Sequence, residues 1–320
     1  MLKKNIFILI ALMALGLVLF SGWLFKQKGP LSEPKIVEIK KGYGVSVVAN
    51  VLEENGIIKY PFLFKLKVKL SGLSNNIKAG EYEFIPQISA SEVLNKIVKG
   101  DLYYNRLTIP EGLTVGEVMY MIESHPKLTG EISIDVKEGD LLPETYSFSS
   151  GMHKDLLVKD MKKQMNKALD SAWAKRTPNP YIKTKKDALI LASIIEKETS
   201  INGERGLVAS VFLNRLKKGM RLQTDPTVIY AITNGEFNFG RKLYRKDLQY
   251  DSPYNTYRNY GLPPGPICNP GVKAINAALN SDTSDYLYFV ANGKGGHNFS
   301  KTLSEHNKNV QQWRNKRKGK

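Results

Sequence analysis

Hydrophobic and polar positions change rhythm several times along the chain. Residues 6–25 (IFILIALMALGLVLFSGWLF) are 20 consecutive positions without a charge. At about 1.5 Å per residue such a helix spans roughly 30 Å, the depth of a bilayer's hydrocarbon core. Lys3 and Lys4 precede the run, Lys26 and Lys28 follow it, and Trp23 stands where an indole suits the lipid–water boundary. A cleaved signal peptide would carry a shorter apolar run closing on a small-x-small site. Here the run continues into Gly22-Trp23-Leu24-Phe25, which favours an uncleaved transmembrane anchor. The simpler topology leaves a short cytoplasmic stub, 1–5, and sends the long remainder outside the membrane. Residues 26–34, polar with two prolines and a glycine, read as a tether.

Beyond the tether, Val37 and Ile39 alternate as in a strand, and Gly42 turns the chain. Val45, Val48, Ala49 and Leu52 recur at helical spacing, and Gly56 supplies a stop. Phe62, Leu63, Leu66 and Leu70 predict a second helix over 61–70. Tyr82 and Phe84 predict a strand, and Ser89-x-x-Glu92 is a capping box opening a helix that Gly100 ends. The unit from 35 to 100 resembles a LysM-like module, a βααβ arrangement that lays a shallow groove against N-acetylated glycan. A faint echo follows seventy residues on, where Ile39, Gly42, Val45, Val48, Leu52 and Glu53 are matched by Ile109, Gly112, Val115, Val118, Ile122 and Glu123. The echo suggests two small α+β lobes; chance repetition of strand–turn–helix chemistry explains it as well.

Residues 157–218 are helix-rich, and Lys217-Lys218-Gly219 has the cations and glycine of a helix end. Residues 251–271 (DSPYNTYRNYGLPPGPICNPG) then crowd five prolines, three glycines and three tyrosines into one irregular stretch. A loop this long and rigid is usually shaped for some function. A helix over 271–280, a strand over 286–291 and a glycine turn at 293–296 come next. A closing helix from Ser304 puts His306, Val310 and Trp313 on one face, and residues 314–320 read as a basic tail.

Composition narrows the class. Apolar content of 42% with 15 Pro and 26 Gly excludes collagen-like and disordered chains. The lone Cys268 excludes an intrachain disulfide framework and any zinc site built on several thiolates. The four histidines never stand three or four residues apart, so metal-ligand spacing is missing and no metal or other cofactor is expected. No P-loop, dinucleotide fingerprint or G-x-S-x-G elbow occurs. The formal charge of +17 favours polyanions or an anionic membrane face. A membrane anchor and the lack of a clustered Lys/Arg–aromatic motif argue against nucleic acid.

One segment points to chemistry. In DALILASIIEKETS, residues 188–195 are apolar on all sides except Ser193, as in a buried helix. Leu191, Ala192, Ile195, Glu196 and Thr199 share one stripe, so Glu196 faces the interior, where desolvation raises a carboxyl's pKa and suits it to general-acid work. Glu198, about 200° round the helix, is expected to face away and stay ionised beside Lys197 or Arg205. Spacing leaves open a structural role for Glu196, at a helix end or paired with a buried arginine.

LASIIEKETS, VASVFLNRLKKGMRLQTDPTVIYAI, SPYNTYRNYGLPPGPICNPG, YLYFVANGKGGHNFS and SEHN together closely resemble the endolytic murein transglycosylase (YceG-like) family, from about residue 35 to 310. LLPETYSF resembles a further family signature, with Glu144 where aspartate is usual and Leu142 where phenylalanine is usual. The resemblance implies an α+β protein: a transmembrane helix, the LysM-like subdomain, and a larger helix-rich catalytic domain over 101–313. It implies cleavage of nascent peptidoglycan strands between N-acetylmuramic acid and N-acetylglucosamine, leaving 1,6-anhydro ends and terminating elongation. Glu196 is the position it marks as catalytic. Gln223, Thr224 and Asp225 are expected as sugar or stabilising contacts, and Asp225-Pro226 reads equally as a plain turn or helix cap. Asn255 and Tyr257 offer an amide and a phenol to sugars, or pack the loop. Asn214 and Arg215 could support Glu196 or lie on the surface, and His297 is more often structural than catalytic in such a turn. The implied partners are glycan strands, membrane lipid and peptidoglycan synthases, at the plasma membrane with the catalytic domain extracytoplasmic. A glycan hydrolase and a non-catalytic wall-binding scaffold are the competing readings.

Overall fold

A computed structural model describes residues 2–236 and 238–318. The protein is a mixed α+β chain with one apolar N-terminal helix. Its elements, in order, are α1 (Leu2–Lys26), β1 (Lys35–Ile39), α2 (Val45–Glu54), α3 (Pro61–Leu70), β2 (Gly80–Phe84), α4 (Ala90–Lys99), β3 (Asn105–Thr108), α5 (Val115–Glu123), β4 (Leu128–Thr129), β5 (Thr145–Phe148), β6 (Met152–His153), α6 (Lys154–Ala174), α7 (Lys185–Glu198), α8 (Arg205–Lys217), α9 (Asp225–Thr233), α10 (Val272–Leu279), β7 (Tyr288–Ala291), β8 (His297–Ser300) and α11 (Leu303–Lys318). The chain divides into two compact units, one drawn from 1–106 and 147–152, the other from 107–146 and 153–320.

In the first unit, β1 and β2 pair antiparallel with Val37 opposite Tyr82, and α2 and α3 fall between them, giving the order β-α-α-β. The inward residues are those that the apolar spacing selects: Val48 and Leu52 from α2, Phe64 and Val68 from α3, Tyr82 and Phe84 from β2, Val93 and Ile97 from α4. Helix α4 begins at the expected capping box, where the Ser89 amide donates to Glu92 Oε2 at 2.9 Å, and it ends on Gly100 in the left-handed region.

Helix α1 is long and apolar enough to cross a membrane, and its apolar side chains from Ile6 to Phe20 are exposed. Its end is built into the unit: Phe25 is buried, 6.2 Å from the Phe64 ring centroid. The expected tether is therefore not free. The Gly29 amide donates to the Gln87 carbonyl, the Gln87 amide donates to the Leu31 carbonyl, and Leu31 is buried. A Cβ at Gly29 would lie 2.2 Å from the Ile88 carbonyl oxygen, so only glycine lets the segment approach this closely.

In the second unit α7 is central, packing on α10, α8 and α9. A Thr184–Asp187 capping box starts it, and Leu191, Ala192, Ile194 and Ile195 join Val208 and Phe212 of α8 and Ala274 and Ile275 of α10 in one core. Strands β7 and β8 form an antiparallel hairpin with Phe289 opposite Phe299, and α11 packs on it. Residues 107–146 belong to this unit, so the second stretch of the sequence echo does not form a lobe of its own. Helix α11 also takes in most of the expected basic tail; residues 319 and 320 lie outside the described residues.

Candidate active site

The last turn of α7 carries two carboxyls in opposite settings. Glu196, with its side chain 4% exposed, accepts from Arg205 Nη2 at 2.9 Å through Oε1 and from the Gly271 amide at 2.9 Å through Oε2. Arg205 is equally buried; it also contacts Glu111 at 3.3 Å and donates to Asn202. Burial, with Glu196 as a second cause, pushes the Glu111 carboxyl up. Both Glu196 oxygens are thus occupied, in the buried-arginine pairing that the sequence left open.

Glu198, expected to face away and stay ionised, has a different setting. It does not pair with Lys197 or Arg205; half-buried, it borders a groove of about 640 Å³. Thr224 Oγ1 donates to Glu198 Oε1. Burial pushes its carboxyl up; Thr224 opposes that, Asp225 adds to it, and His297 and Arg215 oppose it. As the final residue of α7, Glu198 also sits at the negative helix pole, which further disfavours a carboxylate. The site therefore favours a neutral carboxylic acid. Lys197, between the two, donates to the Gly112 carbonyl at 3.2 Å.

The start of α9 forms a further stretch of the groove wall beside Glu198. Gln223 stands in the left-handed region at φ 51°, and Thr224 is the helix N-cap. The Thr224 amide donates to Thr256 Oγ1 at 3.1 Å, and the Thr227 and Thr256 hydroxyls pair at 2.8 Å, so the proline-rich loop holds the wall in place. Tyr257 donates its hydroxyl to Asp225 Oδ1 at 2.6 Å. Gln223, Thr224, Asp225 and Tyr257 all line the groove with Glu198, as do Phe212, Tyr288, Phe289 and, from α11, His306, Val310 and Arg314.

Three further candidates serve the frame, which for Asn255 is the loop-packing alternative and for His297 the structural one. Asn255 is fully buried; its amide nitrogen donates to the Leu248 and Tyr250 carbonyls, and its oxygen accepts from the Tyr257 amide. Asn214 donates to the Ser284 and Tyr286 carbonyls. His297 pairs through Nδ1 with Glu204 at 2.7 Å, and its amide donates to the same carboxylate. None of the three lines the groove.

Two groove residues were missed as site residues. Arg215, read only as support or surface, is buried. It donates to the Leu287 and Leu222 carbonyls at 2.7 Å each, with its guanidinium 5.2 Å from the Tyr288 ring. His306 stacks on the other side chain of this pair, 5.2 Å from Tyr288, with a buried Nδ1 that has no hydrogen-bond partner. Burial, then Arg215, pushes its imidazole down, so it is neutral near pH 7. The SEHN stretch was the available signal, but its helical phase toward α7 cannot be read without the fold.

Among the described residues no group of three or more His, Cys, Asp or Glu is disposed to hold a metal. Cys268 is fully buried, its Sγ 3.4 Å from the Ser193 carbonyl oxygen, and burial pushes its thiol up. It has the setting of a core residue rather than of a reactive thiol.

The model of the YceG-like family matches residues 37–312. An endolytic murein transglycosylase of Bacillus subtilis is 36% identical over 304 residues, covering 85% of this chain and 82% of its own. An endolytic murein transglycosylase of Streptococcus pneumoniae is 29% identical; the match covers 86% of this chain and 57% of that one. The crystal structure of a yceG-like protein from Listeria monocytogenes has a TM-score of 0.55 and 35% identity, covering 86% of this chain and 98% of its own. The folded part of the chain is thus matched almost throughout, in sequence and in fold. The chain belongs to the YceG-like family.

Proposed function

We propose that this chain is a membrane-anchored lytic transglycosylase that cuts peptidoglycan strands internally, with Glu198 as its acid–base residue. The observation that carries the reading is Glu198 itself: a desolvated carboxyl, raised above its ordinary range, on the wall of a groove whose volume suits a sugar-sized ligand. The names of the Bacillus and Streptococcus relatives support the reaction class.

The chemistry needs one carboxyl used twice. Protonated Glu198 gives its proton to the glycosidic oxygen as the bond from muramyl C1 breaks. The resulting carboxylate then takes the proton of the muramyl C6 hydroxyl, whose oxygen closes on C1. No water is consumed, and the product carries a 1,6-anhydro end. A hydrolase would instead need a second carboxyl to activate water. Asp225 is the available one, but its Oδ1 is engaged by Tyr257. Its negative charge beside the groove suits the positive charge developing at C1.

Thr224 orients Glu198, Tyr257 orients Asp225, and Gln223 offers an exposed amide to sugar hydroxyls. Tyr288 and Phe289 supply apolar faces. In this reading α1 is the plasma-membrane anchor, 1–5 the cytoplasmic stub, and the folded remainder extracytoplasmic. The β-α-α-β order over 35–100 supports a LysM-like glycan contact, and the second unit, which takes up most of 101–313, is the catalytic domain. Nascent strands come from synthases, which are the natural protein partners.

The test is mass spectrometry of purified glycan strands digested by the full chain. Anhydro-muramyl ends are expected. Reducing ends would establish a hydrolase, and uncut strands a scaffold.

A further inference from the structure

Helix α3 has two apolar faces, and the fold uses one. Phe64 and Val68 are fully buried, while Phe62 is 75% exposed, Leu66 41% and Leu70 77%. At 100° per residue the exposed three fall within an arc of about 80°, directly opposite the buried pair. Lys65 and Lys69 border this stripe on one side and Lys67 on the other, and Lys59 precedes the helix. No acidic residue occurs from 59 to 70.

The start of α3 also lies against the end of α1. Leu24, Phe25 and Lys28 line one small cavity of about 150 Å³ together with Lys59, Tyr60 and Leu63. The outer stripe is therefore held beside the point where the apolar helix ends. An apolar stripe edged by lysines is the pattern of a helix lying in a lipid interface, its hydrocarbon among acyl chains and its cations among anionic headgroups.

We propose that the outer face of α3 docks on the anionic lipid surface beside the anchor. The proposal rests on the anchored reading of α1. Lipid, rather than a protein groove, is the occupant because the charge around the stripe is of one sign and because the stripe continues from a lipid-facing helix. The docked helix sets the orientation of the first unit on the membrane.

The test uses the full chain in nanodiscs of phosphatidylcholine, with or without phosphatidylglycerol, with an environment-sensitive fluorophore on Leu66→Cys. Cys268 is buried and escapes labelling. Leu12→Cys in α1 reports the anchor. We expect the Leu66 label to emit at shorter wavelength and to lose intensity with doxyl-chain lipid, more so with phosphatidylglycerol. Combined Lys65→Glu, Lys67→Glu and Lys69→Glu should abolish that lipid preference, and added salt should weaken it. Quenching at Leu12 without quenching at Leu66 overturns the docking and leaves the anchor intact. Quenching at neither overturns the anchor, and the docking with it. A Leu66 shift that tracks protein copies per disc, without doxyl quenching, replaces lipid by a second copy.

Discussion

Exchanging each carboxyl of the α7 end for its amide separates chemistry from architecture. Glu198→Gln keeps the shape and the Thr224 contact but removes the exchangeable proton. General acid–base catalysis contributes about 10²–10⁴ in rate. Because the same group acts in both half-reactions, the loss should lie near the upper end, roughly 5 kcal/mol of barrier. Stability should hold or rise, since a desolvated acid raised above its ordinary range opposes folding once ionised. Glu196→Gln does the reverse. It leaves the buried Arg205 with only Glu111 at 3.3 Å and Asn202 as polar partners. Breaking such a pair costs about 3–5 kcal/mol. The Gln carbonyl can still accept from the Gly271 amide, so the lower end applies. For a unit of this size that is a fall of about 6–12 °C in Tm.

The assay pairs anhydro-end release, measured well below Tm and normalised to folded protein, with thermal unfolding. In the wild type, activity should fall as pH rises through the raised Glu198 pKa, and that limb should survive in Glu196→Gln. A folded Glu196→Gln protein without activity, beside a Glu198→Gln protein that keeps a tenth or more, would refute the assignment.

Three further outcomes follow from contacts described above. Tyr257→Phe removes the 2.6 Å bond to Asp225 and should lower kcat about 10–100-fold with KM little changed, measured by strand-cleavage kinetics. Asn255→Ala strands two carbonyls and the Tyr257 amide in a buried loop; it should cost about 3 kcal/mol by denaturant unfolding and lower activity through Tyr257. Glu138 is pushed by burial from its ordinary 4.5 to about 7, so the folded state binds its proton more tightly and stability falls as pH rises between those values. Glu138→Gln should gain about 2–3 kcal/mol over the wild type at pH 8 relative to pH 4, read from unfolding at both; an equal difference at the two pH values would refute it.

The elements were largely legible because each obeys a local rule. The Ser89–Glu92 box, Gly100, the apolar period of α2 and the Lys217–Gly219 helix end are all short-range signals, and each element is found where they lie. The surroundings of the two carboxyls at the end of α7 were not legible. The 3,4 stripe correctly took Glu196 inward, but α7 is covered by α8, α9 and α10, so facing away from one stripe is not facing water. What lies on each side is set by tertiary contacts: Arg205 and Gly271 around Glu196, Thr224 around Glu198. The same limit hid the place of His306 on the groove and left open whether Asn255, Asn214 and His297 serve the site or the frame.

The short stretch after α1 has a consequence for how far the first unit can stray from the end of that helix. A free nine-residue leash would let the first unit wander by about 17 Å. Held by Gly29 and Leu31 on Gln87, that slack is gone, and the unit works at a fixed altitude. On the anchored reading it patrols a plane rather than a volume.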